Sequence, residues 1–404
     1  MTKVYHQEIF GLREEKYDWL KSHSISNVEW NEIEPQSPFY FFLPYNDNNL
    51  QDYKNFISVQ DIFPVNVTGI VTAKDNLAID FDKNKLLRKI EIFRNKNYDT
   101  KYLKKALNIN ENYQWKLEEQ REEFLKDNDW RAYIIKILYR PFDIRFIYYQ
   151  DNIVFRMRKK VMRHMFADNI GLITVRQVAE GKFNHAFITN SIIESRITLS
   201  NKGIGYLFPL YLYPDIDINH LFSGEQIVSE KKPNIKREVF EELQANFQKE
   251  VSPEEIFYYI YAVLYSNTYR EKYKEFLKID FPRIPFTKDY ERFITLGKLG
   301  ERLANIHLLK STELDFPIAK YPEAGSNRIE KVVYETSKVW INKQQYFSNV
   351  PQEVWQYHIG GYQVCDKWLK DRKGRTLSLD EIKTYCKIVT ALSKTIEIQA
   401  EIDM

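Results

Sequence analysis

Between Arg140 and Arg176 the chain carries eight basic residues (Arg140, Arg145, Arg156, Arg158, Lys159, Lys160, Arg163 and Arg176) against three Asp. The formal net charge of all 404 residues is only +3, so positive charge is concentrated here. Tyr148, Tyr149 and Phe155 are interleaved with it. Basic groups neutralise phosphates and release counterions, while flat rings can touch bases. The combination suits a polyanion whose bases must also be contacted. The competing reading is a solvated basic helix face, which is what charge runs usually are.

Arg145, Arg156, Arg158, Lys159, Lys160, Arg163 and Arg176 are the candidate contacts. An Arg fork matches the guanine edge and a side-chain amide the adenine edge, which adds Gln177 and Asn169 as candidate readers. Each has a structural alternative. Arg140-Pro141-Phe142-Asp143 reads as a turn in which Arg140 or Arg145 pairs with Asp143. Asn169 suits a turn. Arg176 has a carboxylate nearby in Glu180. Should Arg176 and Gln177 not read bases, the loop from Gly181 to Arg196 is the next place for that role.

Other chemistry finds less support. His164 lies beside Arg163 without an orienting partner in sequence, so it makes no general base. The remaining histidines show no metal-ligand spacing. Cys365 and Cys386 are the only cysteines, too few for a disulfide framework or a Cys-rich zinc site. Glu381-Ile382-Lys383 resembles the end of a nuclease motif but lies at a helix start, where Glu381 serves as a cap. Gly360-Gly361-Tyr362 lacks the helix that a phosphate loop needs. Phe281-Pro282-Arg283-Ile284-Pro285 reads as a rigid crossing between helices.

These residues need a scaffold, and the composition supplies one. Hydrophobic residues make up 44% of the chain and aromatics 15%, enough for a buried core over two or three domains. There is no N-terminal apolar signal region and no run near the ~18 apolar residues of a membrane span. A cytoplasmic protein is expected.

Periodicity places the elements. Residues 1–45 read as a strand, a short helix and an extended stretch, Phe39–Leu43. Ile70–Thr72 is strand-like, and Lys83–Phe93 has helical spacing. Trp115–Trp130 reads as a charged, exposed helix. Ile144, Phe146 and Tyr148 alternate as in a strand. Met157, Val161 and Met165 recur every four residues, which predicts an amphipathic helix over Arg156–Ala167. Gly171–Val178 and Gly205–Tyr213 read as strands. Residues 215–250 are polar, suggesting a linker or an excursion. Ser252 with Glu255, and Ser378 with Glu381, are capping boxes opening helices. A further helix spans about 289–309, and Val332–Tyr334 with Val339–Asn342 suits a hairpin.

Seven stretches, in order, resemble the C-terminal target-recognition region of type ISP restriction-modification enzymes. They are Tyr5–Trp19 (YHQEIFGLREEKYDW), Ile62–Asp75 (IFPVNVTGIVTAKD), Tyr139–Tyr149 (YRPFDIRFIYY) and Val161–Gln177 (VMRHMFADNIGLITVRQ), then Gly205–Tyr213 (GYLFPLYLY), Ile256–Phe286 (IFYYIYAVLYS…DFPRIPF) and Val354–Lys373 (VWQYHIGGYQVCDKWLKDRK). Enzymes of this family join a nuclease, a helicase-like translocase, an adenine-N6 methyltransferase and a DNA-reading domain. The methyltransferase needs an Asn-Pro-Pro-Tyr-type loop and a Gly-rich cofactor loop. This chain has no Pro-Pro pair and no GxGxxG. The resemblance therefore implies a fragment that begins just after the catalytic domain.

The expected fold class is α+β: a mixed-sheet DNA-recognition domain followed by a mainly helical C-terminal subdomain. The expected divisions are 1–45, packing on a missing methyltransferase domain; 46–214, target recognition; 215–250, linker or excursion; and 251–404, helical. The first functional expectation is a non-catalytic reader of double-stranded DNA. It would hold the target while a methyltransferase domain elsewhere flips adenine, using S-adenosylmethionine that this chain does not bind. A stand-alone nuclease and a Tyr-rich protein-interaction scaffold are the alternatives. Metal-dependent cleavage would mark the former, and salt-independent behaviour the latter.

Overall fold

Strand periodicity and a Pro-Phe turn make the central hairpin. Ile134–Arg140 pairs antiparallel with Asp143–Tyr148, closing at Arg140↔Asp143. Phe142 takes a left-handed φ of +60° at the turn. That costs a non-glycine residue, and burial of its ring against Phe187 and His307 offsets it. The computed structural model describes residues 3–35, 40, 42, 49–111, 115–199, 203–214 and 230–404. The chain divides into two compact units, residues 1–55 and 56–404.

In the first unit, Val4–His6 pairs antiparallel with Asn31–Ile33, and a helix spans Arg13–Ser22. The Leu12 N–H donates to Glu15 Oε2 at 2.7 Å, which caps that helix. None of its residues is buried, and Phe10, Leu12 and Leu20 are exposed. The expected strand Phe39–Leu43 lies outside the described residues apart from Tyr40 and Phe42.

The second unit holds two four-stranded sheets. The first runs Ile192–Ile193, Ile134–Arg140, Asp143–Tyr148, Ile79–Asp80, with its first pair parallel and the rest antiparallel. The second runs Val67–Thr68, Gly205–Pro209, Gly171–Val175, Phe187–Thr189 and is all antiparallel. Backbone bonds stitch them together. Ile70 N donates to Ile193 O and Ser195 N to Ile70 O, both at 2.9 Å, while Gly69 N reaches Gly205 O at 2.9 Å. A Cβ at Gly69 would lie 2.5 Å from Ser195 Cα, so only glycine permits this approach.

Helices form the C-terminal half. Pro253–Tyr265 opens with the expected capping box: Glu255 N donates to Ser252 Oγ at 3.2 Å, and Ser252 N to Glu255 Oε2 at 2.7 Å. It packs with Tyr290–His307 and with the final helix, Leu379–Asp403, which has its own Ser378–Glu381 box. His307 ties the three together. Thr395 Oγ1 donates to Ala391 O at 2.7 Å, so His307 Nε2 must donate to Thr395 Oγ1, at 2.9 Å. That tautomer leaves Nδ1 to accept from Tyr261 Oη at 2.6 Å. Burial pushes the imidazole down to about 3. The fold is α+β with small mixed sheets, as expected. No helix of the described residues is long and apolar enough to cross a membrane.

Several local expectations change. The helix expected over Arg156–Ala167 shrinks to one turn, Lys159–Met162, plus a 3-10 turn, Arg163–Met165. Arg156 is instead a ladder partner of Val71, and Arg158 turns the chain at φ +59°. The four-residue spacing still buries Met157, Val161 and Met165. The helix expected over Trp115–Trp130 covers only Leu117–Phe124, and its apolar residues Trp115, Leu117, Phe124 and Trp130 are buried rather than exposed. Arg94, at the end of the helix Lys83–Arg94, lies over Trp130 at 5.3 Å. The strand expected to Val178 stops at Val175. Residues 215–229 of the expected linker lie outside the described ones. The rest of that polar stretch is packed: a helix, Arg237–Phe247, buries Val239, Leu243 and Phe247 at i, i+4 spacing.

Candidate nucleic-acid interface

A continuous backbone ladder carries the exposed basic residues. Val71 N bonds Arg156 O at 3.2 Å and Arg156 N bonds Val71 O at 2.9 Å. Ile70 then pairs with the 193–195 segment, Gly205 N donates to Ser195 O at 2.8 Å, and Gly205 pairs with Val175. Gly69 N also bonds Gly205 O directly, so the strand beside Arg156 reaches that of Val175 through the single strand Gly205–Pro209. Arg176 and Gln177 follow directly on Val175, and both are exposed. The ladder thus joins two basic regions that sequence reading placed on unconnected elements.

At the first end, Arg156 is exposed, with its guanidinium 5.1 Å from the Phe155 ring centre. Lys160 is exposed and makes no side-chain bond among the described residues. Arg158 is half-buried, and its buried Nε has no hydrogen-bond partner among the described residues. Lys159 pairs with Asp151, and Arg163 Nε donates to Lys160 O at 3.1 Å. At the other end, Arg176 Nε donates to Asp280 Oδ1 at 3.0 Å rather than to Glu180, and both partners are more than half exposed.

Arg145 faces inward. Its Nη2 lies 2.7 Å from Asp143 Oδ2 and 3.0 Å from Asp371 Oδ2, and its guanidinium sits between the Tyr139 and Phe81 rings at 3.8 and 4.1 Å. Its side chain is 12% exposed, so the pairing alternative replaces the expected external contact. Arg140 pairs with Glu194, not Asp143. Asn169 is also structural, correcting its place among adenine readers. Its Nδ2 donates to His164 O and Tyr211 O at 3.0 and 2.8 Å, and its Oδ1 accepts from Ile170 N and Tyr211 N. His164 is buried and accepts from Tyr213 N through Nδ1 at 3.0 Å.

The inward charges form a network that sequence reading missed. Arg372 Nη2 donates to Asp143 Oδ1 at 2.7 Å and stacks on Trp368 at 3.5 Å. Glu381 Oε1 accepts from Arg375 Nη1 at 3.0 Å, and Arg375 and Arg372 pack on the Phe81 ring along with Arg145. Burial works against the Glu381 charge, but the Ser378 N–H and the two guanidiniums hold its carboxyl below the usual value. Glu381 is thus the expected cap, with a second task. No spacing in sequence signals contacts this distant. Among the described residues, no three His, Cys, Asp or Glu side chains come together to hold a metal.

The fold has solved relatives. A nuclease-deletion mutant of the Type ISP restriction-modification enzyme LlaGI, in complex with a DNA substrate mimic, superposes with a TM-score of 0.72 at 20% identity, over 99% of this chain and 39% of that one. A DrdV–DNA complex gives 0.77 at 19%, over 99% and 43%. The ATP-dependent Type ISP restriction-modification enzyme LlaBIII, bound to DNA, gives 0.70 at 21%, over 93% and 25%. The chain thus spans less than half of each of these solved chains. No curated protein matches it. The Type ISP C-terminal specificity domain matches residues 61–401, well over half the sequence, and the chain belongs to that family.

Proposed function

We propose that the chain is the sequence-specific double-stranded DNA recognition module of a cytoplasmic restriction-modification adenine-N6 methyltransferase. The family match over residues 61–401 carries this reading. The DNA complexes of LlaGI, DrdV and LlaBIII, which share the fold, support it. So does the backbone ladder that ties exposed Arg156 to the strand leading into exposed Arg176 and Gln177. Exposed cations and an amide joined through one ladder suit contacts to phosphate and to base, which fix register and read sequence respectively.

The module holds the target while a methyltransferase domain outside residues 1–404 flips the adenine. S-adenosylmethionine belongs to that domain, since this chain has neither loop for it. Residues 1–45 dock that domain, for which exposed Phe10, Leu12 and Leu20 offer apolar surface.

Duplex binding by the 404-residue chain tests the reading. Log K should fall linearly with log salt, by roughly 0.9 per phosphate contacted. With labelled S-adenosylmethionine, magnesium and mixed DNA, the chain alone should neither methylate nor cut. A flat salt response would favour the scaffold, and cleavage the nuclease.

A further inference from the structure

We propose that Arg196 reads a base edge, a guanine in the major groove, within the duplex this module recognises. The inference rests on the DNA-recognition reading and names a residue that reading does not use.

Arg196 is exposed, and its guanidinium has no hydrogen bond, ion pair or ring partner among the described residues. That sets it apart from its neighbours. Arg140, Arg145 and Arg372 are each neutralised by a carboxylate. The adjacent carboxylate, Glu194, pairs with Arg140 instead, and Ser195 Oγ donates to it at 2.8 Å. Glu194 spends its remaining capacity on the Arg196 backbone: Arg196 N donates to Glu194 Oε2 at 2.8 Å.

The main chain is held from the other side too. Tyr362 Oη lies 3.1 Å from Arg196 O and 2.6 Å from Leu199 O. Leu199 N also donates to Arg196 O, at 3.2 Å. Tyr362 belongs to the short hairpin His358–Ile359 with Tyr362–Gln363. That hairpin closes on the turn through Gly361 N, which donates to Thr198 O at 2.9 Å. Gly360, at φ +58°, makes the approach possible, since a Cβ there would fall 1.8 Å from Thr198 O. Three buried polar side chains and a glycine turn therefore immobilise the root of one exposed arginine.

Such support has a chemical use. A phosphate contact tolerates a mobile side chain, because charge alone carries it. Base readout needs the guanidinium fork held in register with O6 and N7 of guanine, and its supporting groups must fix it. The place is right as well. Ser195 bonds Ile70, next to Arg156's partner Val71, and Gly205, the partner of Val175, so Arg196 follows a residue tied to both basic regions.

The test first selects the preferred duplex of the chain from a random pool. Kd is then measured on that duplex, on its single-pair variants and on a scrambled duplex, for wild type, Arg196→Ala, Arg196→Lys and Tyr362→Phe. Arg196→Ala should lose roughly 10- to 100-fold of discrimination at one G·C pair. Its affinity for the scrambled duplex should stay within about twofold, as should its urea midpoint, because the side chain is exposed. Arg196→Lys should recover only part. Tyr362→Phe should weaken the same discrimination and leave scrambled binding alone, which a purely structural tyrosine would not do. Equal loss on every sequence would make Arg196 a phosphate anchor and overturn the proposal. So would unchanged discrimination in a wild type that does discriminate. A wild type without salt-dependent duplex binding would instead overturn the DNA-recognition reading, and this inference with it.

Discussion

Asp143 Oδ1 accepts a hydrogen bond from Arg372 Nη2 at 2.7 Å, across 229 residues of sequence. Asp143 is 1% and Arg372 4% exposed. The pair fastens the central hairpin to the segment just before the last helix. It sits within a cluster: Arg145 holds the other Asp143 oxygen, and three guanidiniums surround Phe81. Stacking on the rings lets buried cations approach one another while the carboxylates neutralise them.

Breaking this pair should be costly because it strands a buried charge. Asp143→Ala should lower stability by about 3–5 kcal/mol. Arg372→Ala should do at least as much, since it also loses the stack on Trp368 at 3.5 Å. The double variant should cost less than the two singles together. Urea unfolding measures all three, and a loss under about 1 kcal/mol for Asp143→Ala would contradict a buried, mutually dependent pair.

Acid should destabilise the fold through two histidines. Burial pushes His307 down to about 3, and burial followed by the nearby Arg270 charge pushes His185 down to about 4. Both folded values lie below the unfolded value of about 6.5. Above that pH neither state binds the proton, and stability is flat. Below it the unfolded chain takes up protons that the folded one refuses. Stability should then fall by about 1.4 kcal/mol per pH unit for each histidine, from about 6.5 towards 4. Asp80 and Glu381, held below the ordinary carboxylate value, act only at lower pH. Urea midpoints between pH 5 and 7 give the slope. His307→Gln should remove one proton from it, and a flat wild-type profile would refute the assignment.

What the sequence made legible was local. Ser252 with Glu255 and Ser378 with Glu381 announce helix starts because both partners lie within four residues. One strand of the central hairpin was readable from the alternation of Ile144, Phe146 and Tyr148, and its turn from Arg140-Pro141-Phe142-Asp143; the partner strand Ile134–Arg140 was not. Arg156 was not, because its helical spacing was real at Met157, Val161 and Met165 while its backbone partner, Val71, lies far away. Charge density pointed to Arg145 for the same reason it misled: a guanidinium looks alike in sequence whether it faces solvent or Asp143. Arg196 stood out in sequence only as the end of the Gly181–Arg196 loop, the second place for base readout, and the bonds from Glu194 and Tyr362 single it out within that loop.

Lys160 and Arg145 should separate exposed from internal charge. Lys160→Ala removes an exposed surface cation and should weaken duplex binding about equally on all sequences, lowering the salt slope by about one. Arg145→Ala should leave the slope of the folded protein unchanged and act on the urea midpoint instead. A slope change with Arg145→Ala, at unchanged stability, would return Arg145 to the interface.

Arg176 meets DNA only by leaving Asp280, and that exchange sets a sign. The pair lies 3.0 Å apart with both side chains over half exposed, so it stabilises by about 0–1 kcal/mol at most. A phosphate or a guanine edge competes easily with so weak a partner. Asp280→Asn should therefore tighten duplex binding, by freeing the guanidinium and removing a repelling charge, and leave the urea midpoint nearly unchanged. Arg176→Ala should weaken binding, and in that background Asp280→Asn should give a smaller gain. If Arg176 reads a base, its loss falls on the preferred duplex alone, at about 1–3 kcal/mol. If it anchors a phosphate, the loss is uniform. Should Asp280→Asn gain as much without Arg176 as with it, the aspartate acts only as a general negative charge, and Arg176 stays paired in the complex.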